Sequence, residues 1–166
     1  MECSLKRMKR VLILGPGASG KSTLGKRLGE ITGIPVIELD KLFWQSGLVP
    51  TPPEQWAEIL RKLVAEESWI LDGDLGPYDV IEIRLRAADT IVFLDLPLLL
   101  CAWRAVRRSR EHSDFWRWLF AYRTRYRTPL LLAIQKDAPG VQFHRLCSPR
   151  QVELFIEDVA ARPSRL

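Results

Sequence analysis

The stretch Val11-Leu12-Ile13-Leu14-Gly15-Pro16-Gly17-Ala18-Ser19-Gly20-Lys21-Ser22-Thr23 joins a short apolar run to a glycine-rich octet ending in Gly-Lys-Ser. The apolar run, bounded by turn residues, predicts a buried strand, and Leu24, Leu28 and Ile31 predict one face of a helix over Lys21–Thr32. Between them the octet has the composition of a phosphate-cradling loop. Backbone N–H groups that hold a polyphosphate must approach its oxygens through dihedral angles that a Cβ resists, hence Gly15, Gly17 and Gly20. Ala18, Ser19 and Thr23 complete the expected seat. Lys21 can set its ammonium against the β and γ phosphates, and Ser22 can offer a hydroxyl to Mg²⁺. The nucleotide is expected on the positive N-terminus of the helix.

Outward from this stretch, strand and helix alternate. Pro35–Leu39 and Trp69–Leu71 read as the second and third strands, Thr90–Leu94 as the fourth and Val141–Leu146 as the last. A helix capped by Thr51 should bury Trp56, Ile59, Leu60 and Leu63, and a short one should run from Pro77 to about Arg86. Helices from Leu98 to about Leu132 should break near Ser113 and Pro129, and Ser148 and Pro149 should start a helix burying Val152, Phe155, Ile156 and Val159. Continuous apolar strands separated by helices argue for an α/β fold, a five-stranded parallel sheet covered on both faces.

With 166 residues, 47% apolar and 27% charged, the chain suits one domain with one core and excludes wholesale disorder. The boundaries expected are a basic tail over residues 1–7 and a domain over 8–162, with a helical lid-like segment around 109–130. The N-terminal apolar run is too short for a secretory signal, Met8 offers an alternative start, and Ile91–Trp103 is too interrupted to span a bilayer. Cys3, Cys101 and Cys147 form neither a paired framework nor a metal spacing, which fits a reducing cytoplasm, with Cys101 a small buried residue. The net charge of +5 favours anionic partners, and it concentrates in Arg104, Arg107, Arg108, Arg110, Arg117, Arg123, Arg125 and Arg127.

Ligands of such a sheet lie beyond the carboxyl ends of its strands. Asp72 and Asp95 each end a strand there, and either can organise Mg²⁺ or cap the turn that follows. Asp40 closes the second strand, where it can orient or deprotonate an acceptor hydroxyl beside Phe43 and Trp44, or serve as a helix cap beside core aromatics. Arg104 and Arg108 share a helix face and suit charge on a transferred phosphoryl group. Arg123, Arg125 and Arg127 alternate around Tyr122 and Tyr126, with Trp116 and Trp118 upstream: a mobile lid, a nucleic-acid surface or a solvated basic face.

Four blocks together carry a resemblance: the octet with Thr23, Leu39-Asp40-Lys41-Leu42-Phe43-Trp44, Trp69-Ile70-Leu71-Asp72-Gly73 and Phe93-Leu94-Asp95-Leu96-Pro97. In this order and spacing, over about residues 8–160, the chain resembles the adenylate-kinase-related P-loop proteins often labelled DNA topology modulation proteins. The resemblance implies a three-layer α/β/α sandwich with strand order 2-3-1-4-5, ATP as phosphoryl donor, and Asp72 as the aspartate that organises Mg²⁺ through water. It also places Arg104 and Arg108 at the spacing of the catalytic arginines. The chain departs from the family where adenylate kinases carry the long lid and, after the aspartate and glycine, a Pro-Arg pair that grips the acceptor's phosphate. Here Asp74-Leu75-Gly76 follows, and a carboxylate there repels the phosphate of AMP.

The reading that follows is an ATP- and Mg²⁺-dependent phosphotransferase acting on a small acceptor, with Lys21, Asp40, Arg104 and Arg108 as catalytic residues and Ser22 and Asp72 on the metal. Two rivals remain at this point: a nucleic-acid-associated ATPase, and a nucleotide-binding regulatory module without turnover.

Overall fold

The computed structural model describes residues 8–45, 49–76, 79–108 and 113–161, without the side chains of Arg108, Ser113 and Asp114. The expected tail at 1–7, residues 109–112 of the expected lid and residue 162 lie outside the described residues.

Strands β1 (Arg10–Leu14), β2 (Val36–Glu38), β5 (Trp69–Asp72), β6 (Thr90–Leu94) and β7 (Gln142–Leu146) form one sheet in the order β2-β5-β1-β6-β7, every pairing parallel. Counted among these five strands, this is the expected 2-3-1-4-5. Alternation along the central strands feeds two cores. Leu12 and Leu14 of β1, with Ile91 and Phe93 of β6, face Trp56, Leu60, Leu85 and Tyr122. Val11 and Ile13, with Val92 and Leu94, face Leu24, Leu28, Phe155 and Ile156. Successive side chains point to opposite faces, so a strand apolar at every position needs helices on both sides.

Helices α1 (Lys21–Thr32) and α8 (Pro149–Ala161) cover one face. On the other lie α3 (Pro53–Ala65), α4 (Ile81–Ala87) and α7 (Arg127–Asp137). Glycines let α1 sit close to the sheet: a Cβ on Gly29 would approach Val36 Cγ2 to 2.5 Å. Ser148 starts α8 as expected, its Oγ accepting from the Gln151 N–H at 3.3 Å.

Local departures from expectation have physical causes. The second strand stops at Glu38 and Leu39 opens a short helix, α2 (Leu39–Phe43), so Asp40 sits in a helical first turn. A two-strand hairpin follows, β3 (Trp44–Gln45) against β4 (Val49–Pro50). Thr51 does not cap α3, because its hydroxyl and N–H both donate to the Phe43 carbonyl, at 2.5 and 3.0 Å, tying the hairpin to α2. Pro129 does not break the next segment: it lies near the start of α7, directly after a π-helical turn, and the chain stays helical through it. The discontinuity lies upstream: α5 (Leu98–Arg108) and α6 (Ser113–Ala121) lead into a π-helical turn over Tyr122–Tyr126.

Candidate active site

The loop after β1 takes its shape from positive φ at Gly15 (145°), Ala18 (56°) and Gly20 (96°). Gly17 is absent from that set, and its lack of a side chain answers a different need. A Cβ there would collide with Phe115 Cε2 and lie 2.8 Å from Phe115 Cζ and Trp118 Cζ3. No side chain caps α1 at Gly20, so its first N–H groups present the positive end of the helix dipole to the loop. The Lys21 ammonium donates to the carbonyls of Gly15 and Pro16, both at 3.0 Å, which holds it across the loop. Arg104 Nη1 donates to the Ser19 carbonyl at 3.0 Å, so the arginine expected at the phosphates does reach the loop. Arg108 ends α5 and its side chain lies outside the described residues.

Beside the loop a cavity of about 330 Å³ opens between α1, α5 and α8. Ala18, Ser19, Gly20 and Thr23 form one wall, Leu94, Leu96 and Ile156 the floor, and Trp103, Arg104 and Arg107 the opposite rim. Arg107 lies over the Trp103 ring, 4.8 Å from its centroid, presenting a flat cationic and aromatic surface. Arg27 and Glu153 close the far end through a two-pronged ion pair at 2.7 and 2.9 Å. A cavity this large, continuous with a helix N-terminus, is the size of a small-molecule site.

The two strand-tip aspartates part company. Both Asp95 oxygens are engaged: Arg127 donates to Oδ1 and Oδ2 at 2.9 and 2.7 Å, and Arg145 Nε to Oδ2 at 2.7 Å. Burial pushes against the charged form, but the two guanidinium groups hold the Asp95 pKa below the ordinary carboxylate value. Asp72 is only 3% exposed and its Oδ1 has no hydrogen-bond partner. Burial raises its pKa, while the Ser22 hydroxyl and Lys21 pull the other way. A buried, unpartnered carboxylate oxygen beside Ser22 and the loop lysine fits a hard cation shared with phosphate oxygens. Among the described residues no group of three or more His, Cys, Asp or Glu could by itself hold a metal ion.

Across the loop, Asp40 keeps contact with solvent, yet the surrounding protein removes enough water to raise its pKa. Lys21 opposes that rise and the charges of Asp72 and Asp74 add to it, so Asp40 lies close to the residues expected to work with it. Phe43 belongs to the core instead, packed edge-on against Trp44 and Trp56. Asp74 accepts from the Tyr122 hydroxyl at 2.9 Å and the Gly76 N–H at 3.2 Å. Beneath it, fully buried Arg84 pairs with Asp79 and donates to the Gly73 carbonyl at 3.0 Å. Burial lowers the Arg84 pKa to about 10.

The sequence reading missed Arg84, Asp79, Phe115 and the Arg27–Glu153 pair. Arg27 and Glu153 are 126 positions apart, and no local pattern signals such a pairing. Phe115 carries a usable signal, an aromatic residue in the ring-rich run that holds Trp116 and Trp118.

Comparison with known proteins bears on the fold. No family model matches the chain. The adenylate kinase of Mycobacterium leprae, in strains Br4923 and TN, is 37% identical over 87 residues, which cover 49% of this chain and 42% of the relative. The match thus spans less than half the length of these curated relatives. A shikimate kinase from Acinetobacter baumannii, solved with shikimate, superposes with a TM-score of 0.58 at 16% identity over 94% of this chain and 93% of that one. A gluconokinase from Sinorhizobium meliloti 1021 gives 0.55 at 16% identity, covering 93% and 92% of the two chains. A deoxyadenosine kinase from M. mycoides gives 0.52 at 14%, covering 92% and 99%. Among the described residues no helix is long and apolar enough to cross a membrane. The chain is thus similar to adenylate kinase over about half of its length, and its fold is that of the P-loop kinases.

Proposed function

We propose that this protein is an ATP- and Mg²⁺-dependent phosphotransferase acting on a small hydroxyl-bearing acceptor. The observation that carries the reading is the continuity of the glycine-rich loop with the 330 Å³ cavity, which offers a seat for a polyphosphate and for the group attached to it. In this reading the nucleoside of ATP lies in that cavity against Trp103 and Arg107. The residues of the loop, Gly15 through Thr23, bind the phosphates through main-chain N–H groups. Lys21 leaves the Gly15 and Pro16 carbonyls for the β and γ phosphates, and Arg104, beside Ser19, adds a guanidinium to the developing charge.

Ser22 and Asp72 are the residues that would hold Mg²⁺, which when bound neutralises phosphate charge. Asp40 orients the acceptor hydroxyl and takes its proton, a role that its raised pKa suits. Arg108 is proposed as the second arginine of the α5 face. Catalysis is then positioning and electrostatics.

The test is ADP release from ATP and Mg²⁺ over a panel of nucleosides, nucleoside monophosphates, sugars and other small alcohols, with duplex DNA as one arm. Acceptor-dependent release that Lys21→Ala reduces by about 10²–10³-fold supports the reading. Release stimulated by DNA alone would replace it with a nucleic-acid-associated ATPase, and tight ATP binding with no product from any acceptor would replace it with a regulatory module.

A further inference from the structure

One row of rings touches both halves of this site. Phe115 and Trp118 of α6 lie against Gly17 on the phosphate loop, and Trp118 Nε1 would stand 3.3 Å from a Cβ on Gly76, in the turn that holds Asp74. Tyr122 packs edge-on against Trp118 with centroids 5.3 Å apart, and its hydroxyl reaches Asp74. The row therefore bridges the donor loop and the acceptor turn, across the gap that a phosphoryl group has to cross. Meanwhile the Lys21 ammonium rests on the loop's own carbonyls.

We propose that α6 is an intramolecular gate: Phe115 and Trp118 occupy the mouth of the phosphate loop and compete with the polyphosphate of an incoming nucleotide. The inference rests on the donor-site reading above. Phe115 Cε2 and Cζ and Trp118 Cζ3, the ring atoms nearest Gly17, fill the space beside the loop and offer no hydrogen-bond donor to a phosphate oxygen, so ring and anion exclude each other there by volume.

The segment has two anchorages: Trp118 packs against the edge of the main core, and the remainder sits on a small cluster. Leu119, its fully buried anchor, packs with Leu96 and Cys101 in a small cluster separate from the two main cores. Its neighbours are fixed: Tyr122 belongs to the main core and Arg127 is pinned on Asp95. The gate motion proposed is therefore a displacement of Phe115–Ala121 alone, pivoting ahead of the π-helical turn over Tyr122–Tyr126. A binding-competent state that is only partly populated lowers apparent affinity by its fraction, and removing the ring restores that fraction.

The experiment compares ATP, inorganic tripolyphosphate and adenosine by titration calorimetry on the full chain, as wild type, Phe115→Ala and Phe115→Ala with Trp118→Ala. The gate predicts that ATP and tripolyphosphate each bind about tenfold tighter to the single variant, with adenosine unchanged. Unchanged or weaker tripolyphosphate binding by a folded variant overturns it, weaker binding marking the rings as a roof over bound phosphates. Should Phe115→Ala fail to fold, acrylamide quenching of wild-type tryptophan emission decides. Tripolyphosphate, which has no nucleoside to cover Trp103, raises the quenching if Trp118 lifts, and unchanged or reduced quenching with it overturns the gate. If no form of the chain binds either ATP or tripolyphosphate, the donor-site reading fails and the gate with it. Tripolyphosphate binding that Lys21→Ala removes, without tightening in Phe115→Ala, sinks the gate alone.

Discussion

Arg127 forks onto Asp95, its Nε 2.9 Å from Oδ1 and its Nη2 2.7 Å from Oδ2, while Arg145 reaches the same Oδ2 from the neighbouring strand. This arrangement ties the start of α7 to the tips of β6 and β7. It also removes two groups from other duties: Asp95 has no free oxygen for a cation, and Arg127 is withdrawn from the basic run that Arg123 and Arg125 continue on exposed positions.

Asp95→Asn therefore tests the clamp. Burial opposes ionisation of Asp95, but its arginine partners prevail and the folded-state pKa is depressed. A depressed carboxylate contributes stability above its unfolded pKa and loses it as pH falls through the folded value. At pH 7 the variant should lose roughly 2 kcal/mol, less than the ~3–5 of a fully buried pair because Arg145 is half exposed. Urea denaturation should show the gap between wild type and variant closing below about pH 4.

Asp40 has the opposite sign. Its folded-state pKa is raised, by burial first, so its carboxylate protonates at a higher pH than an ordinary aspartate. If it takes the acceptor's proton, kcat/KM for ADP release should fall on the acid side of a limb lying above ~3.9. Asp40→Asn should lower kcat by about 10²–10⁴-fold and abolish that limb, with ATP affinity little changed. An acid limb that survives the substitution would assign it to another group.

Arg84→Leu leaves Asp79 charged and buried. Loss of one partner of a fully buried pair costs about 3–5 kcal/mol, and differential scanning calorimetry should register it as a large fall in Tm. Adding Asp79→Asn should recover part of that loss. A variant as stable as wild type would mean that the pair does not hold the Gly73 turn.

Gly29→Ala would be expected to stabilise an isolated helix, by up to ~1 kcal/mol. In this fold the added Cβ would approach Val36 Cγ2 to 2.5 Å and the Ile34 carbonyl to 3.2 Å. Val36 is β-branched and lies in β2, so it has little room to turn. The substitution should therefore destabilise by roughly 1–3 kcal/mol in chemical denaturation, while Lys26→Ala on the exposed face of the same helix stays within about 0.5 kcal/mol of wild type.

What the sequence determined by itself was local and periodic. Val11–Leu14 with its glycine-rich octet placed strand, loop and α1, because a run apolar at every position can satisfy only a strand covered on both faces. Ser148 and Pro149 placed the start of α8 for the same kind of reason, capping chemistry acting over a few residues. Tertiary structure alone decided that Asp95 belongs to two arginines while Asp72 keeps an unpartnered oxygen, since two strand-tip aspartates look alike until distant chain packs on one of them. It likewise gave Gly17 its reason, contact with rings about a hundred positions away rather than a backbone angle. Contacts of that kind have no period in the chain, and only the packed fold brings their partners together.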